Sequence, residues 1–213
     1  MNDDRRFEAH PGRGRFNAAF FAVMDGYINW HLKQQKIQAY KDLPETVVEL
    51  GPGRSQPALP TAWHRAHRDR AQPVMQAPLR RAAAKRGIDL ELRDVTGEKI
   101  DLPGASVDAM ISSLVLCAVG DPAQEVTEVR RILRPGGKFC FVEHVAAADG
   151  TPTRRVQHLV RQPWAWVFEG CSCERDLASV IKGAGFAKTE IRAYRIHSPF
   201  LPFNTQIAGS AIA

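Results

Sequence analysis

The chain has 213 residues, of which 44% are hydrophobic and 24% charged, as in an ordinary globular protein of one domain. These values exclude a largely disordered chain. Four cysteines are too few for a secreted disulfide scaffold, so we expect a reducing compartment and a cytoplasmic location. The apolar run that starts at Ala18 stops at Asp25, well short of the roughly 20 residues of a membrane span. Neither a span nor a signal peptide is predicted.

Apolar periodicity and turn residues divide the chain into alternating helices and strands. The predicted elements are a flexible N-terminus over 1–14, a helix over Arg15–Leu43, a strand over Thr46–Leu50, a helix over Pro73–Arg86, strands over Ile88–Asp94 and Ser106–Ser113, a helix over Pro122–Leu133, a strand over Lys138–Val145, a helical stretch through Phe168, a helix over Glu174–Ala184, and strands over Lys188–Ile196 and Gln206–Ala213. This order predicts one α/β domain over 15–213 with a mainly parallel sheet of seven strands, of which the second would be a degraded strand between Leu50 and Pro73. A Pro-containing loop joins the last two strands, which predicts an antiparallel C-terminal edge.

A strand that runs into a glycine turn is the first motif suited to a ligand. The run Val47–Leu50 leads directly into Gly51-Pro-Gly53. Because glycine has no Cβ, a ligand can lie against the backbone here, although a plain strand-to-loop turn has the same pattern. The dinucleotide-binding fingerprint needs a third glycine at position 56, where the chain has Gln56. The motif therefore favours a ligand without a pyrophosphate.

Motifs further along the chain are more specific. Three segments resemble the class I S-adenosylmethionine (SAM)-dependent methyltransferases: Asp101–Pro103, Ser106–Cys117 and Glu128–Gly137. Three more are similar to the branch with the alkyl thiol methyltransferases and small bacterial relatives: Ser113–Val119, Phe141–Ala147 and Phe168–Cys171. The resemblance implies a Rossmann-like doubly wound fold, SAM as cofactor, and methyl transfer to a small-molecule nucleophile. A thiol acceptor follows from the branch alone; lipid, quinone-like and amine acceptors stay open.

The resemblance also implies a set of cofactor-binding residues. They are Glu49, Gly51 and Gly53 at the methionine end and ribose, Asp94 and Val95 beside the adenine, and Ser113 and Leu114 beneath the sulfonium and facing the acceptor. Each lies at or just past the carboxyl end of a predicted strand, so we expect them to line one cleft. The alternatives are a plain turn role for Asp94 and a satisfied strand-end hydroxyl for Ser113.

His144 is the candidate catalytic residue, since it follows an apolar strand at its carboxyl end. An imidazole with a reference pKa of about 6.5 could take the proton from a thiol or hydroxyl acceptor near neutral pH. A hydrogen bond to loop backbone is the alternative role. The pair Cys171 and Cys173 falls short of the four ligands of structural zinc, and Cys117 and Cys140 lie in apolar runs typical of core thiols. No metal site is predicted.

The predicted first helix, over 15–44, carries aromatic residues at helical spacing. They are Phe16, Phe20, Tyr27 and Trp30. We expect this helix to pack over the cofactor mouth as a lid. Binding of the helix to a membrane surface is the alternative, because an apolar stripe on a basic chain suits an anionic bilayer.

The segment Arg54–Gln72 does not fit this fold. A methyltransferase of this class needs a second strand that ends in an acidic residue for the ribose hydroxyls. The segment has four arginines, two histidines and no adjacent β-branched residues, unlike a strand buried on both faces. We therefore expect little regular structure here, or an ill-fitting strand, with the first strand partly exposed on one edge. Asp69 is the carboxylate nearest to the required place, so it is the candidate ribose ligand.

A frameshift explains this anomaly. Synonymous codons exist for Arg54–Pro73 whose reading one nucleotide later gives Gly-Ala-Asn-Leu-Arg-Tyr-Leu-Pro-Pro-Gly-Thr-Ala-Leu-Ile-Ala-Ile-Glu-Pro-Asn-Pro. That translation contains a third glycine, a turn, an apolar strand and a terminal acid in the required order. The hypothesis is that two compensating frameshifts, in the gene or in its sequencing, bracket the segment. Natural divergence is the alternative.

The same segment bears on the charge and on the competing functions. Its four arginines and Asp69 contribute +3 of the net charge of +6, whereas the shifted translation is neutral. Without that excess and without an aromatic-basic patch, we expect no nucleic-acid partner. The functions that remain are a SAM-dependent methyltransferase and a non-catalytic protein of the same fold whose cofactor site is damaged at residues 54–72.

Overall fold

The structure, a computed structural model, describes residues 11–44, 46–51, 65–68, 77, 80, 81, 83–85, 87–94, 100–168 and 170–213. The helices are α1 (Pro11–Ala39), α2 (Pro122–Ile132), α3 (Pro152–Val167) and α4 (Leu177–Gly183), with a 3-10 turn over Leu201–Phe203. Positions 77, 80, 81, 83 and 84 are also helical, within the helix predicted there. The strands are β1 (Val48–Leu50), β2 (Arg65–Arg68), β3 (Leu92–Asp94), β4 (Val107–Ser113), β5 (Leu133–His144), β6 (Lys188–Arg195) and β7 (Thr205–Ile212).

These strands form one sheet in the order β3-β2-β1-β4-β5-β7-β6. Strands β1 to β5 run parallel, and β7 is antiparallel to both of its neighbours. The α/β class, the Rossmann-like doubly wound order and the antiparallel C-terminal edge are confirmed. The chain turns outward in opposite directions from β1 and from β4, so the switch point where such sheets bind ligands lies between these two strands.

Side chains of alternating strand residues build a core on each face of the sheet. On one face, Phe139 and Phe141 pack with apolar residues of α2 and α4. On the other, Cys140 and Val142 pack with Leu32 of α1 and its neighbours. Burial of each such side chain contributes about 1.5–3 kcal/mol. Cys140 is therefore the core thiol that its apolar run predicts.

The bounds of α1 differ from the prediction at both ends. The helix starts at Pro11, so residues 11–14 are helical instead of part of a flexible N-terminus. Proline suits this position because its fixed φ is helical. Its missing N–H costs nothing, since an N–H in the first turn has no acceptor within the helix. The helix ends at Ala39, earlier than predicted, and Asp42 has a φ of 59°, which no helix can continue. Residues 1–10 lie outside the described part of the chain.

In the anomalous segment the structure shows a short strand, the second of the two expectations, and contradicts the expected exposure of the first strand. Residues 65–68 form β2, which pairs in parallel with β1 on one side and with β3 on the other. The edge of β1 expected to be exposed is therefore covered. Ladder hydrogen bonds come from the main chain, so a basic segment without proline can take a strand position between two unpaired edges. The rest of Arg54–Gln72 lies outside the described residues.

One buried side chain fixes α3 against the end of β5. Gln157 accepts a hydrogen bond from Ala147 N at 2.8 Å and donates from Nε2 to the carbonyl oxygens of Val145 and Pro202, both at 3.0 Å. Val145 and Ala147 follow β5, and Pro202 belongs to the 3-10 turn. Gln157 thereby fixes the positions of α3 and of the 3-10 turn relative to the carboxyl end of β5.

Substituting this glutamine is expected to be costly. Gln157→Ala leaves three buried backbone groups without their partner, and each unsatisfied group costs about 1–3 kcal/mol. We expect the free energy of unfolding to fall by about 3 kcal/mol or more in urea titrations. Gln162→Ala is the matched control, because Gln162 is exposed on the same helix. Equal effects of the two substitutions would contradict the tethering role of Gln157.

Candidate functional site

The turn after β1 has the features expected of a ligand cradle. Glu49 is 2% exposed, and Gly51 at the carboxyl end of the strand has a φ of 56°, in the region that favours glycine. A Cβ at position 51 would stand 2.6 Å from Cγ2 of Val115, in the loop after β4. Glycine is required here by the backbone and by the close approach of that loop. Gly53 lies outside the described residues.

The end of β4 lies beside this turn. Leu50 is opposite Ser112 in the parallel ladder, so Ser113 and Leu114 follow directly next to Gly51. Leu114 has a φ of 59° and donates from its backbone N to the oxygen of Val142 at 2.9 Å. A left-handed conformation is unusual for a leucine and turns the chain sharply away from the strand. The structure therefore brings Glu49, Gly51, Ser113 and Leu114 to one edge of the sheet.

A buried carboxylate at the end of β5, missed by the sequence analysis, completes this edge. Glu143 accepts hydrogen bonds at Oε1 from Ser112 Oγ at 2.5 Å and Val115 N at 3.1 Å. Its Oε2 is buried and has no hydrogen-bond partner among the described residues. Burial raises the pKa of Glu143 to about 6, and these hydrogen bonds limit the rise. The sequence signal for this carboxylate was a glutamate inside the predicted buried strand over Lys138–Val145, because burying a charged side chain is costly unless it is paired.

Tyr40 connects the two carboxylates. Its hydroxyl donates to the backbone oxygen of Ser112 at 3.3 Å. Burial raises the pKa of Tyr40 well above its usual value, and the negative charges of Glu49 and Glu143 raise it further. Both carboxylates are therefore close enough to the same hydroxyl to act on it. They place negative charge at the carboxyl ends of β1 and β5, on either side of β4.

One predicted cofactor residue that the structure describes, Asp94, is not brought into this set. Asp94 ends β3, which is separated from β1 by β2. The structure describes its backbone position, at the ladder partner of Arg68. Asp69 and Val95 lie outside the described residues, so their binding roles stay predictions.

His144 lies next to Glu143 and contacts a thiol. Its Nε2 is 3.0 Å from Sγ of Cys171, whose sulfur is 3.5 Å from Sγ of Cys117. Nε1 of Trp164 donates to the same sulfur of Cys171 at 3.4 Å. The alternative role of His144, a hydrogen bond to loop backbone, is not found among the described residues. Cys117 is buried as predicted, but its thiol faces a polar cluster.

These contacts shift the titration of all three side chains. The hydrogen bond between the two thiols lowers the pKa of Cys171 well below its usual value and raises that of Cys117 well above it. Burial opposes protonation of His144, but the charge of Cys171, its hydrogen bond to the imidazole and the charge of Glu143 together raise the pKa of the histidine. The cluster thus favours a negative charge on Cys171 with a positive or donating histidine beside it.

The loop that carries Cys171 is tied to the loop after β4. Ser172 N donates to the oxygen of Cys117 at 2.8 Å. The guanidinium of Arg175 donates to the oxygens of Leu116 at 2.8 Å and Val119 at 2.5 Å. Backbone and guanidinium bonds on both sides of Cys117 therefore hold its thiol against that of Cys171.

The first helix contributes aromatic contacts to this region. Phe20 meets Phe168 with ring centroids 5.4 Å apart and Phe200 at 5.9 Å. Phe16 and Trp30 are 53% and 71% exposed. The lid role of this helix therefore stays a prediction, supported by Phe20 alone. Across the described residues, no helix combines the length and apolar character needed to cross a bilayer.

A separate cavity lies between this helix and β6. It has a volume of about 580 Å³, and its walls include Tyr27, His31, Tyr194 and His197. Strand β7 stands between β6 and β5 in the sheet. Burial raises the pKa of Tyr194 and the charge of Glu143 raises it further, so this wall of the cavity lies near the carboxylate at the end of β5.

Comparison with known proteins agrees with this arrangement. Residues 48–141 match the family profile described as a methyltransferase domain. Human thiol S-methyltransferase TMT1B is 32% identical over 111 residues, which are 52% of this chain and 46% of that protein. Human thiol S-methyltransferase TMT1A is 38% identical over 87 residues, 41% of this chain and 36% of that protein. The chain spans about half the length of the curated relatives it matches, or less.

A solved structure supports the fold. It is a SAM-dependent methyltransferase from Mesorhizobium loti, with a TM-score of 0.57, 23% identity, and coverage of 89% of this chain and 100% of that chain. Residues 48–141 are therefore similar to a methyltransferase domain, and the sheet order and the glycine turn after β1 agree with the fold of the SAM-dependent methyltransferases. That domain and fold imply SAM as the cofactor.

Proposed function

We propose that this protein transfers the methyl group of SAM to the sulfur of a small-molecule thiol. The main support for SAM binding is a pair of buried carboxylates, Glu49 and Glu143, near the turn at Gly51. SAM bears a positive sulfonium and a positive ammonium group, and buried negative charge attracts such a cation strongly. The likeness to thiol S-methyltransferases supports the thiol acceptor.

The residues at the sheet edge fit the parts of SAM. Glu49 and the open backbone at Gly51 suit the methionine end and ribose, as the resemblance implies. Oε2 of Glu143 is a buried acceptor without a hydrogen-bond partner among the described residues, and such an atom suits a cationic ligand. Ser113 and Leu114 would border the sulfonium and the acceptor. When bound, SAM supplies an electrophilic methyl group.

The contribution of the protein is then positioning and proton removal. Holding two reactants at near-attack distance can supply several kcal/mol of the barrier, of the order of 7 in favourable cases. A thiol reacts as its thiolate, so a group near the acceptor must favour loss of its proton. His144 was the sequence-based candidate for this task, and its Nε2 faces Cys171 instead of an open cleft.

The expected test is SAM binding by calorimetry with the variant Glu143→Gln. The glutamine keeps an acceptor oxygen for Ser112 and Val115 but removes the charge, so we expect SAM affinity to fall about tenfold, which is about 1.4 kcal/mol. Methylation of hexanethiol, followed by mass spectrometry, should fall in parallel. Glu190→Gln is the matched control, since Glu190 is exposed on β6.

Two outcomes decide against the proposal. Unchanged SAM affinity in Glu143→Gln would contradict the role of this carboxylate. A wild-type chain that binds no SAM would favour the non-catalytic alternative, in which the basic sequence of residues 54–72 has destroyed the cofactor site. That alternative is favoured by one feature of the chain, the strand position occupied by Arg65-Ala-His-Arg68.

A further inference from the structure

Three side chains place metal-ligating atoms together at the carboxyl edge of the sheet. One ligand atom each of Cys117, His144 and Cys171 lies within 4.8 Å of the others. The measured pairs are 3.0 Å between Nε2 and the sulfur of Cys171 and 3.5 Å between the two sulfurs. In tetrahedral zinc sites with Zn–S near 2.3 Å and Zn–N near 2.0 Å, such atoms are about 3.5–3.8 Å apart. A shift of about half an ångström would bring these pairs to that spacing.

We propose that Cys117, His144 and Cys171 bind a zinc ion, and that the thiol acceptor takes its fourth position. The second part rests on the proposed function, and the first does not. Two thiolates and one imidazole are the ligand set of a catalytic zinc with one position open. A closed structural site would require a fourth protein ligand.

The other cysteines do not supply that fourth ligand. Sγ of Cys173 donates to the backbone oxygen of Gln157 at 3.6 Å, and Cys140 packs in the core cluster that includes Leu32. Among the described residues, the group of suitable side chains has three members. No described residue fills the fourth coordination position, which we assign to a ligand from solution.

The three ligands are held by separate elements before any metal binds. His144 is the last residue of β5 and is paired with Gln206 of β7. Cys117 and Cys171 are held together by the bond from Ser172 N to the Cys117 oxygen. Hydrogen bonds that fix the ligands of a site favour metal binding, and here they act on the two cysteine loops, while Nδ1 of His144 has no hydrogen-bond partner among the described residues.

The charges of the cluster suit a zinc-bound thiolate. One Zn²⁺ and two thiolates are neutral together, and an acceptor thiolate adds one negative charge. The guanidinium of Arg175, bonded to the carbonyls of Leu116 and Val119, is the adjacent positive charge. When zinc binds, the thiol protons of Cys117 and Cys171 would pass to water. The acceptor would then lose its S–H proton to water as its sulfur takes the fourth position on zinc. Zinc thereby removes the proton, and His144 serves as a ligand instead of a base.

Zinc content is the first test, and it needs neither SAM nor activity. We expect the full chain, produced with zinc and desalted, to hold one zinc ion by elemental mass spectrometry. Cys117→Ser and Cys171→Ser should each lower zinc affinity about tenfold or more in competition with a chelating dye. Cys140→Ser and Cys173→Ser are the matched controls and should keep wild-type affinity, while circular dichroism checks that each variant folds.

Cobalt substitution is the second test, for the acceptor. Co²⁺ bound to thiolates absorbs by sulfur-to-metal charge transfer, so hexanethiol should increase this absorption in the wild-type chain and not in Cys171→Ser. No zinc in the wild type, or a Cys117–Cys171 disulfide found by mass spectrometry in its place, would overturn the proposal. Zinc binding without a response to hexanethiol would overturn the acceptor part. A chain that binds both but not SAM would contradict the proposed function alone.

Discussion

Replacing Arg54–Pro73 by its shifted-frame translation is expected to raise both the melting temperature and the SAM affinity of this protein. The structure makes the comparison specific, because β2 covers residues 65–68. The shifted translation places Ala-Leu-Ile-Ala at these positions in place of Arg-Ala-His-Arg. Its acid falls at position 70, two residues past the end of β2, where the ribose carboxylate of this class is needed.

The expected size of the stability effect follows from the place of β2. The strand pairs with β1 and β3, so it lies within a parallel sheet of the kind that helices cover on both faces. An arginine that such a position buried without a partner would cost several kcal/mol even after relaxation, and the apolar residues of the shifted translation avoid that cost. Each kcal/mol is worth roughly 2–4 °C in a chain of this size, so we expect a rise of more than about 5 °C by calorimetry.

The affinity effect has a separate origin. A carboxylate that accepts hydrogen bonds from the ribose hydroxyls contributes about 1.5–3 kcal/mol, which is about ten- to hundredfold in affinity. Two variants separate the effects. The combination Arg65→Ala, Ala66→Leu, His67→Ile and Arg68→Ala should raise the melting temperature with a smaller gain in affinity, and the addition of Arg70→Glu should raise the affinity. If the present chain instead equals the shifted-frame variant in melting temperature and SAM affinity, the frameshift does not affect function. Asp69 then supplies the carboxylate.

The sequence allowed the fold and the glycine turn to be predicted, because both follow from local patterns. The run before Gly51 and the alternating elements after it are signals within a few residues, and the sheet order is typical of the class they indicate. Whether Arg54–Gln72 would contain a strand or only irregular structure could not be decided this way. Pairing between main chains overrode a composition that disfavours a strand, which is a known limit of propensity.

The cluster at the end of β5 could not be predicted for a different reason. Cys117, His144 and Cys171 are separated by 27 residues in each interval, and metal-site patterns in sequence depend on closer spacing. Their convergence depends on the loop after α3 folding back over the ends of β4 and β5. The prediction assigned the chemistry at the end of β5 to His144 and gave no role to Glu143. A glutamate in a buried strand is more unusual than a histidine at the end of one, so Glu143 was the better candidate.

Gly51→Val is expected to abolish SAM binding. The backbone at this position has a φ of 56°, and a Cβ there would stand 2.6 Å from Cγ2 of Val115. The valine therefore strains the backbone and also occupies the space over the turn. The left-handed conformation alone costs a residue with a Cβ about 1–2 kcal/mol. We expect at least a hundredfold loss of affinity, about 2.7 kcal/mol, by calorimetry.

The loss in Gly51→Val combines a local distortion with direct obstruction of the cofactor, so a second pair of variants is needed to separate them. Val115→Ala removes the atoms that the new Cβ would meet, and Gly51→Ala with Val115→Ala restores space behind the turn while keeping a methyl group on it. If SAM lies against the backbone here, the double variant regains thermal stability relative to Gly51→Ala but still binds SAM far more weakly than Val115→Ala. Equal SAM affinity of the double variant and Val115→Ala would show that the cofactor does not pass over Gly51. The two buried carboxylates would then have to hold it from another side of the sheet edge.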